Sequence, residues 1–283
     1  MKHKRHIVYS LLITLLAVVM FSLSCEKEKD KKTPPSENGG EFICGNELLD
    51  FRDLNVYSTV RIGEQCWMAE NLAYLPAITY ENDWGNHTEP QYAVYGYAPG
   101  SGKEDVTFAK VVAYNRQYGV LYNWAAAMQG SESSQANPSG VRGICPEGWH
   151  LPSDAEWEEL ENYLADNGYN HDGSTGGGRA KIAKSMASTG GWHSSTVYGS
   201  IGNDKQANNS SGFTALPGGI RSSLYGMFFY DGINGYWWSA TETNKNSAWF
   251  RLLSYNISNV HNYSGDKGQG ISIRCVKDKI STE

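Results

Sequence analysis

No stretch of the chain restricts its fold more than residues 145–168, CPEGWHLPSDAEWEELENYLADNG. Ser153 is followed three residues later by Glu156, which is the pattern of a capping box. The serine oxygen accepts from the Glu156 amide, and the carboxylate accepts from the Ser153 amide, so two orphan donors are satisfied. Pro152 precedes the cap, and Asp154 and Glu156 place negative charge at the positive helix start. Trp157, Leu160 and Leu164 recur as one apolar stripe, and Asn167-Gly168 supplies the stop. The spacing predicts a helix that must bury one face. Glu158, Glu159 and Glu161 read as its solvated face, not as an acid–base pair.

What that face packs on is read from the rest of the chain. Asp53 to Trp67, DLNVYSTVRIGEQCW, reads as two short strands around a Gly63 turn. Residues 80–105, rich in Gly, Pro, Asn and Tyr, read as a long irregular loop. YGVLYNWAAAM (118–128) reads as a helical stretch with Leu121, Trp124 and Met128 on one face. HDGSTGGG (171–178) is a glycine loop that lacks the GK[ST] ending of a phosphate loop and follows a helix, which excludes the nucleotide reading. A shorter helix is expected from about Arg179 to Ala187. From Trp192 onward, strand-like runs such as GYWWSAT, SAWFRLLSY and GISIRCVKD alternate with Gly/Asn/Asp turns. Helices in the first half and strands in the second indicate an α+β fold. No period of 20–50 residues repeats, which excludes a solenoid.

The beginning of the chain carries an address. KHKRH (2–6) precedes fifteen uncharged, largely apolar residues, IVYSLLITLLAVVMF (7–21), the pattern of a secretory signal. At ~1.5 Å per residue these fall short of the ~30 Å hydrocarbon core, which disfavours a spanning helix. Ser22-Leu23-Ser24-Cys25 resembles the lipobox of bacterial lipoproteins, with Ser22 at the place of the usual leucine. The resemblance implies that Cys25 is acylated and anchors the protein in the membrane. EKEKDKKTPPSENGGE (26–41) has mixed charge, two prolines and paired glycines, and cannot bury a core, so it reads as a tether. Its acids close to Cys25 resemble the export signal that carries some Bacteroidetes-type lipoproteins to the outer face. The organisation expected is a signal at 1–24, an acylated tether at 25–41 and one domain at 42–278. The location expected is the outer membrane, exposed at the cell surface.

The whole chain has 24 basic against 30 acidic residues; without Lys2, Lys4 and Arg5 of the leader the count is 21 against 30, or −9. Phosphate binding needs a basic face, so nucleic acid is excluded as a partner. Four cysteines remain besides Cys25, namely Cys44, Cys66, Cys145 and Cys275, an even number in an exported chain. They allow three connectivities, and spacing alone does not choose among them. The arrangement favoured here is Cys44–Cys66, closing a small hairpin, with Cys145–Cys275, tying the middle of the domain to its last strand. Loop closure of those spans is worth roughly 3 and 5 kcal/mol.

Six segments in order carry a family likeness: IGEQCWMAENL (62–72), YGVLYNWAAAM (118–128), CPEGWHLPSDAEWEEL (145–160), SGFTALPGGIR (211–221), GYWWSATE (235–242) and SIRCVKD (272–278). Together they resemble the Fibrobacter succinogenes major paralogous domain, over about residues 42–278. That family is similar to the C-type lectin-like fold, whose relatives include the formylglycine-generating enzymes. The resemblance implies a twisted antiparallel sheet flanked by helices with long loops. It also supports the Cys145–Cys275 pairing.

Glu89-Pro90-Gln91 has the acid-Pro-polar form of a lectin calcium triplet, but it precedes the signature helix and no Trp-Asn-Asp run follows. Asp231, Asn234, Glu242 and Asn244 read as solvated turn residues. His87, His150, His171, His193 and His261 are scattered, and His150 within GWHLPS reads as a hydrogen-bonded core or turn histidine. No GxSxG or HExxH motif is present. The function expected is therefore a cell-surface binding module for glycan or protein, without catalysis, metal or cofactor. The alternatives are a metal-dependent oxidative or hydrolytic enzyme and a structural subunit of a surface assembly. Ring faces stack on sugars and anchor partners. The binding residues expected are Trp192, Arg221, Tyr225, Phe228 and Tyr230, with His193 nearby and Trp238 structural.

Overall fold

The structure is a computed structural model that describes residues 42–97 and 106–278, all within the unit Gly40–Glu283. The signal expected at 1–24, Cys25 and the tether expected to residue 41 lie outside the described residues. The first described strands are β1 (Leu48–Asp50) and β2 (Asn55–Tyr57), then β3 (Thr59–Ile62) and β4 (Gln65–Met68), which turn about Gly63 as expected. A short strand β5 (Tyr92–Ala93) and a 3-10 turn at Glu81–Asp83 lie within the stretch read as loop. Helix α1 (Val106–Arg116) follows.

The stretch 118–128 differs from a single helix. Leu121–Tyr122 is a strand, β6, and only Trp124–Met128 is helical, α2. The reason is Asn123, whose Oδ1 accepts from the Ala126 and Gln91 amides. It starts the helix there and leaves Tyr122 to exchange backbone bonds with Ile271. Strand β7 (Trp149–His150) leads into α3 (Asp154–Asp166), where both bonds of the Ser153–Glu156 capping box form. The expected helix at 179–187 is a 3-10 turn at Gly178–Ala180 and the short α4 (Ala183–Met186).

The second half is strand-rich, giving a mixed α+β architecture: β8 (Gly218–Arg221), β9 (Phe228–Asp231), β10 (Asn234–Asn244), β11 (Ser247–Ser254), β12 (His261–Asp266) and β13 (Val276–Lys277). The named strands do not form one twisted sheet. They form antiparallel ladders β1-β2, β3-β4-β13-β7, β5-β6, β8-β9 and β10-β11-β12. Residues in the left-handed region interrupt the pairing within β8-β9. Gly219, at φ +65°, leaves no room for a Cβ, which would lie 2.4 Å from the Phe229 carbonyl.

One segment stitches the ladders together. Gly270 exchanges bonds with Arg221, Ile271 with Tyr122, Ser272 with Tyr236 and Trp238, and the Ile273 and Cys275 carbonyls accept from Leu72 and Met68. Arg274 lies at the middle of this seam with no solvent exposure. Its Nε donates to Asn71 Oδ1 at 2.8 Å, Nη1 to the Met68 and Phe213 carbonyls, and Nη2 to the Thr214 carbonyl at 2.8 Å. Held by carbonyls and an amide, the guanidinium is pushed down to about 9 by burial. Indole N–H groups tie the same motifs: Trp237 to Asn71, Trp238 to Tyr122, Trp157 to Trp238 and Trp124 to Ser239. Buried polar groups must be paired, so each bond constrains where its strand can lie. Cys44–Cys66 and Cys145–Cys275 are the disulfides formed. Trp67, Trp157 and Phe213 lie in one core cluster, Trp149, Trp238 and Phe250 in a second, and Trp84, Ala93 and Leu121 in a third.

Candidate functional site

The β10-β11-β12 sheet sets up a row of rings by simple alternation. On one face β10 contributes Tyr236 and Trp238, β11 contributes Phe250 and Leu252, and β12 contributes His261 and Tyr263. The rings run as a continuous row. Tyr230 lies 6.5 Å from Tyr236, Tyr236 5.9 Å from Phe250, Phe250 6.3 Å from Tyr263, and His261 stacks on Tyr263 at 4.9 Å with 12° between planes. The middle rings are buried against the core. The ends are open, with Tyr230 50% and Tyr263 46% exposed. The Tyr236 hydroxyl accepts from Asn234 Nδ2 at 2.7 Å, and burial pushes its pKa up to about 12. His261 is pulled below its ordinary value by burial, with a smaller push from Arg179.

Tyr230 takes its place at a cost. It adopts φ +68°, a left-handed conformation rare for a bulky side chain. The turn is enforced by bonds from the Ile233 amide to the Tyr230 carbonyl and from the Gly232 amide to the Pro217 carbonyl. Such outliers persist where surroundings over-determine them.

The other expected binding residues divide. Trp192 is 2% exposed, and its indole donates to Ser188 Oγ and the Ala215 carbonyl, so it is a core residue and presents no ring to a ligand. Arg221, also 2% exposed, is clamped between Trp84 at 4.2 Å and Phe228 at 5.2 Å. It donates to the Gly226 and Thr79 carbonyls, and burial pushes it down to about 10. Its role is to brace the hairpin loop between β8 and β9. Phe228 is half-buried between Arg221 and Tyr95. Tyr225 is exposed at the loop tip with Leu224 and Met227. The structure thus brings Tyr230 to the ring row and leaves Tyr225 on a separate prominence. Trp238 is fully buried, as expected of a structural residue.

The polar candidates also have definite places. His150 is buried with Nε2 2.6 Å from Glu156 Oε1 and Nδ1 2.6 Å from Asp278 Oδ1. His87 pairs with Asp266, and the His171 and His193 rings lie edge-on to Tyr198 and Tyr255. Gln91 of the Glu-Pro-Gln triplet accepts from the Gly85 and Asn86 amides. Glu242 pairs with Lys267 at 2.5 Å.

Glu161 overturns its assignment to a solvated face. It is 1% exposed, with Oε1 accepting from the Nε of Arg251, itself fully buried. Arg251 also reaches Asp154 Oδ1 at 2.5 Å. The signal was in the spacing: 157, 160, 161 and 164 share one helical face.

The described residues also form depressions. A groove of about 950 Å³ is lined by Asn55, Tyr57, Glu70, Lys110 and Tyr118, over Asn71. Its floor is satisfied: Asn71 bonds Trp237, Arg274, Tyr118 and Ser272. A smaller pocket of about 620 Å³ lies between α3 and the Gly178–Ala180 turn.

Residues 60–277 match the model of the Fibrobacter succinogenes major domain, which is more than half of the chain. The chain belongs to that family. Within this Fibrobacter succinogenes major domain lie the ring row, the buried Arg221, Arg251 and Arg274, and Cys66, whereas Cys44 and the β1-β2 ladder precede the matched stretch. The family description names a domain and no activity. Neither curated proteins nor solved structures gave a match.

Proposed function

We propose that this domain is an exported, lipid-anchored binding module of C-type lectin-like fold, held at the outer membrane through acylated Cys25, displayed at the cell surface, and receiving a glycan on its ring row. The observation that carries the reading is the pair of exposed rings, Tyr230 and Tyr263, held in place by the buried Tyr236 and Phe250 between them. Pyranose rings present apolar C–H faces that stack on such rings, and a row fixed by a sheet loses little entropy on binding. The reading expects no catalysis; the histidine flanked by two carboxylates, His150, is buried within a helix cap. The anchor and export readings rest on the resemblances of residues 1–41.

The test is a glycan array and polysaccharide pull-down with the full chain and its Tyr230→Ala/Tyr263→Ala variant. Glycan retention by the parent and at least a tenfold loss in the variant are expected. Equal retention by both would sink the assignment. Palmitate labelling that survives Cys25→Ser would refute the anchor. A second reading, a protein partner, is favoured by Leu224, Tyr225 and Met227, which are exposed together at the tip of the β8-β9 loop. Loss of a protein pull-down in Leu224→Ser/Tyr225→Ser, with glycan binding kept, would support it instead.

A further inference from the structure

The pocket beside α3 differs from the larger groove in one respect: a buried acceptor in its lining has no hydrogen-bond partner. Glu161 Oε1 is held by Arg251, but Oε2, on the side of the pocket-lining Arg179, accepts from no group among the described residues. Arg179 Nη1 stands 3.6 Å from it, close enough for ion pairing and too far for a hydrogen bond. Leaving a buried carboxylate oxygen unpaired is costly, so such an atom calls for a donor.

The neighbours narrow what that donor is. Arg179 is half-exposed, and its backbone is fixed by a bond from the Val260 amide to its carbonyl. Glu158, Asn162 and Asn259 complete the polar lining. A metal ion or ammonium group would meet the guanidinium. A phosphate or carboxylate would meet Glu161 and Glu158. A neutral group that both donates and accepts meets neither penalty. A hydroxyl oxygen placed about 2.8 Å from both Glu161 Oε2 and Arg179 Nη1 can donate to the first and accept from the second. A neighbouring hydroxyl then falls to the Asn259 amide or Glu158.

We infer that the Glu161–Arg179–Asn259 pocket binds the vicinal hydroxyls of a sugar residue. The inference rests on the glycan reading of the ring row for its ligand class, and the two surfaces are joined. Asn259 Nδ2 lies 3.2 Å from His261 Nδ1, and His261 stacks on Tyr263, the open end of the row. A sugar stacked on the exposed Tyr263 ring can therefore extend past His261 toward the pocket.

The test is ligand-observed NMR on the full chain in a detergent without a sugar headgroup. The probes are the methyl glycosides of glucose, galactose and mannose, with 2-methoxytetrahydropyran as the ring without hydroxyls. Saturable binding of at least one glycoside and none of the control is expected. Arg179→Ala and Glu161→Gln should each weaken that binding at least tenfold. Absence of glycoside binding, or binding that Arg179→Ala leaves unchanged, overturns the inference. Arg179 is half-exposed, so its variant remains informative should Glu161→Gln not fold. Arg179-sensitive glycoside binding together with polysaccharide retention untouched by the two tyrosine changes would keep the pocket and overturn the ring row. Tyrosine-sensitive retention with Arg179-insensitive glycoside binding would do the reverse.

Discussion

Arg251→Met tests the energetic argument for the helix face most directly. Arg251 is fully buried; Nε bonds Glu161 Oε1, Nη1 bonds Asp154 Oδ1, and Nη2 reaches the Asp154 carbonyl at 3.2 Å. Removing it leaves Glu161 as a carboxylate with 2% side-chain exposure and one cation, Arg179, 3.6 Å away. Breaking a buried pair by deleting one partner costs about 3–5 kcal/mol, because the other charge stays buried. For a domain of this size that is a fall in Tm of roughly 6–20 °C. The double variant Arg251→Met/Glu161→Leu removes both charges. Asp154 then remains, partly exposed in the first turn of α3 and bonded by Asn262 Nδ2 at 3.1 Å, where an acid is favourable. Its cost is expected below about 2 kcal/mol, since a buried ion pair replaced by apolar residues is often near neutral. The assay is urea unfolding of parent, single and double variants with the disulfides intact. A single variant within about 1 kcal/mol of the parent, or a double variant less stable than the single, would refute the reasoning.

Two further outcomes follow from the geometry. Burial draws the His150 imidazole down, but the hydrogen bond and charge of Glu156, and then those of Asp278, outweigh it, so its pKa ends above the ordinary 6.5. A raised folded-state pKa contributes stability that is complete below about 6.5 and is lost as pH rises through the folded value. His150→Gln should flatten that decline in unfolding free energy; an identical pH profile in the variant would contradict it. Tyr230→Asn relieves a left-handed conformation that asparagine tolerates, so stability should hold within about 1 kcal/mol or rise, while polysaccharide retention falls at least tenfold. A marked loss of Tm would show that the Tyr230 ring is structural.

Local chemistry was legible before the structure. Ser153, Glu156 and the Trp157-Leu160-Leu164 stripe specify their helix because both cap bonds and the stripe form between residues a few positions apart. The Gly63 turn and the strand-rich second half were legible for the same reason. Leu121 was misplaced in a helix because its strand is fixed by Ile271, some 150 residues away. Trp192 and Arg221 looked like surface binders because aromatic and cationic side chains serve equally as contacts and as internal braces. Tyr263 and His261 are not legible in the sequence for the opposite reason: Tyr263 meets Phe250, and His261 faces Leu252, only across the β11-β12 ladder.

By itself, then, the sequence determined what short-range bonding and periodicity can enforce: the capped helix, the turns and the acidic balance. Tertiary structure alone decided which charges go inside. Glu161 and Arg251 are each tolerable in the core only because the other is there, and Arg274 only because carbonyls from Met68, Phe213 and Thr214 converge on it. It also decided which rings align. A row of side chains on three strands exists only once the register of those strands is fixed, since a one-residue slip turns every ring to the other face.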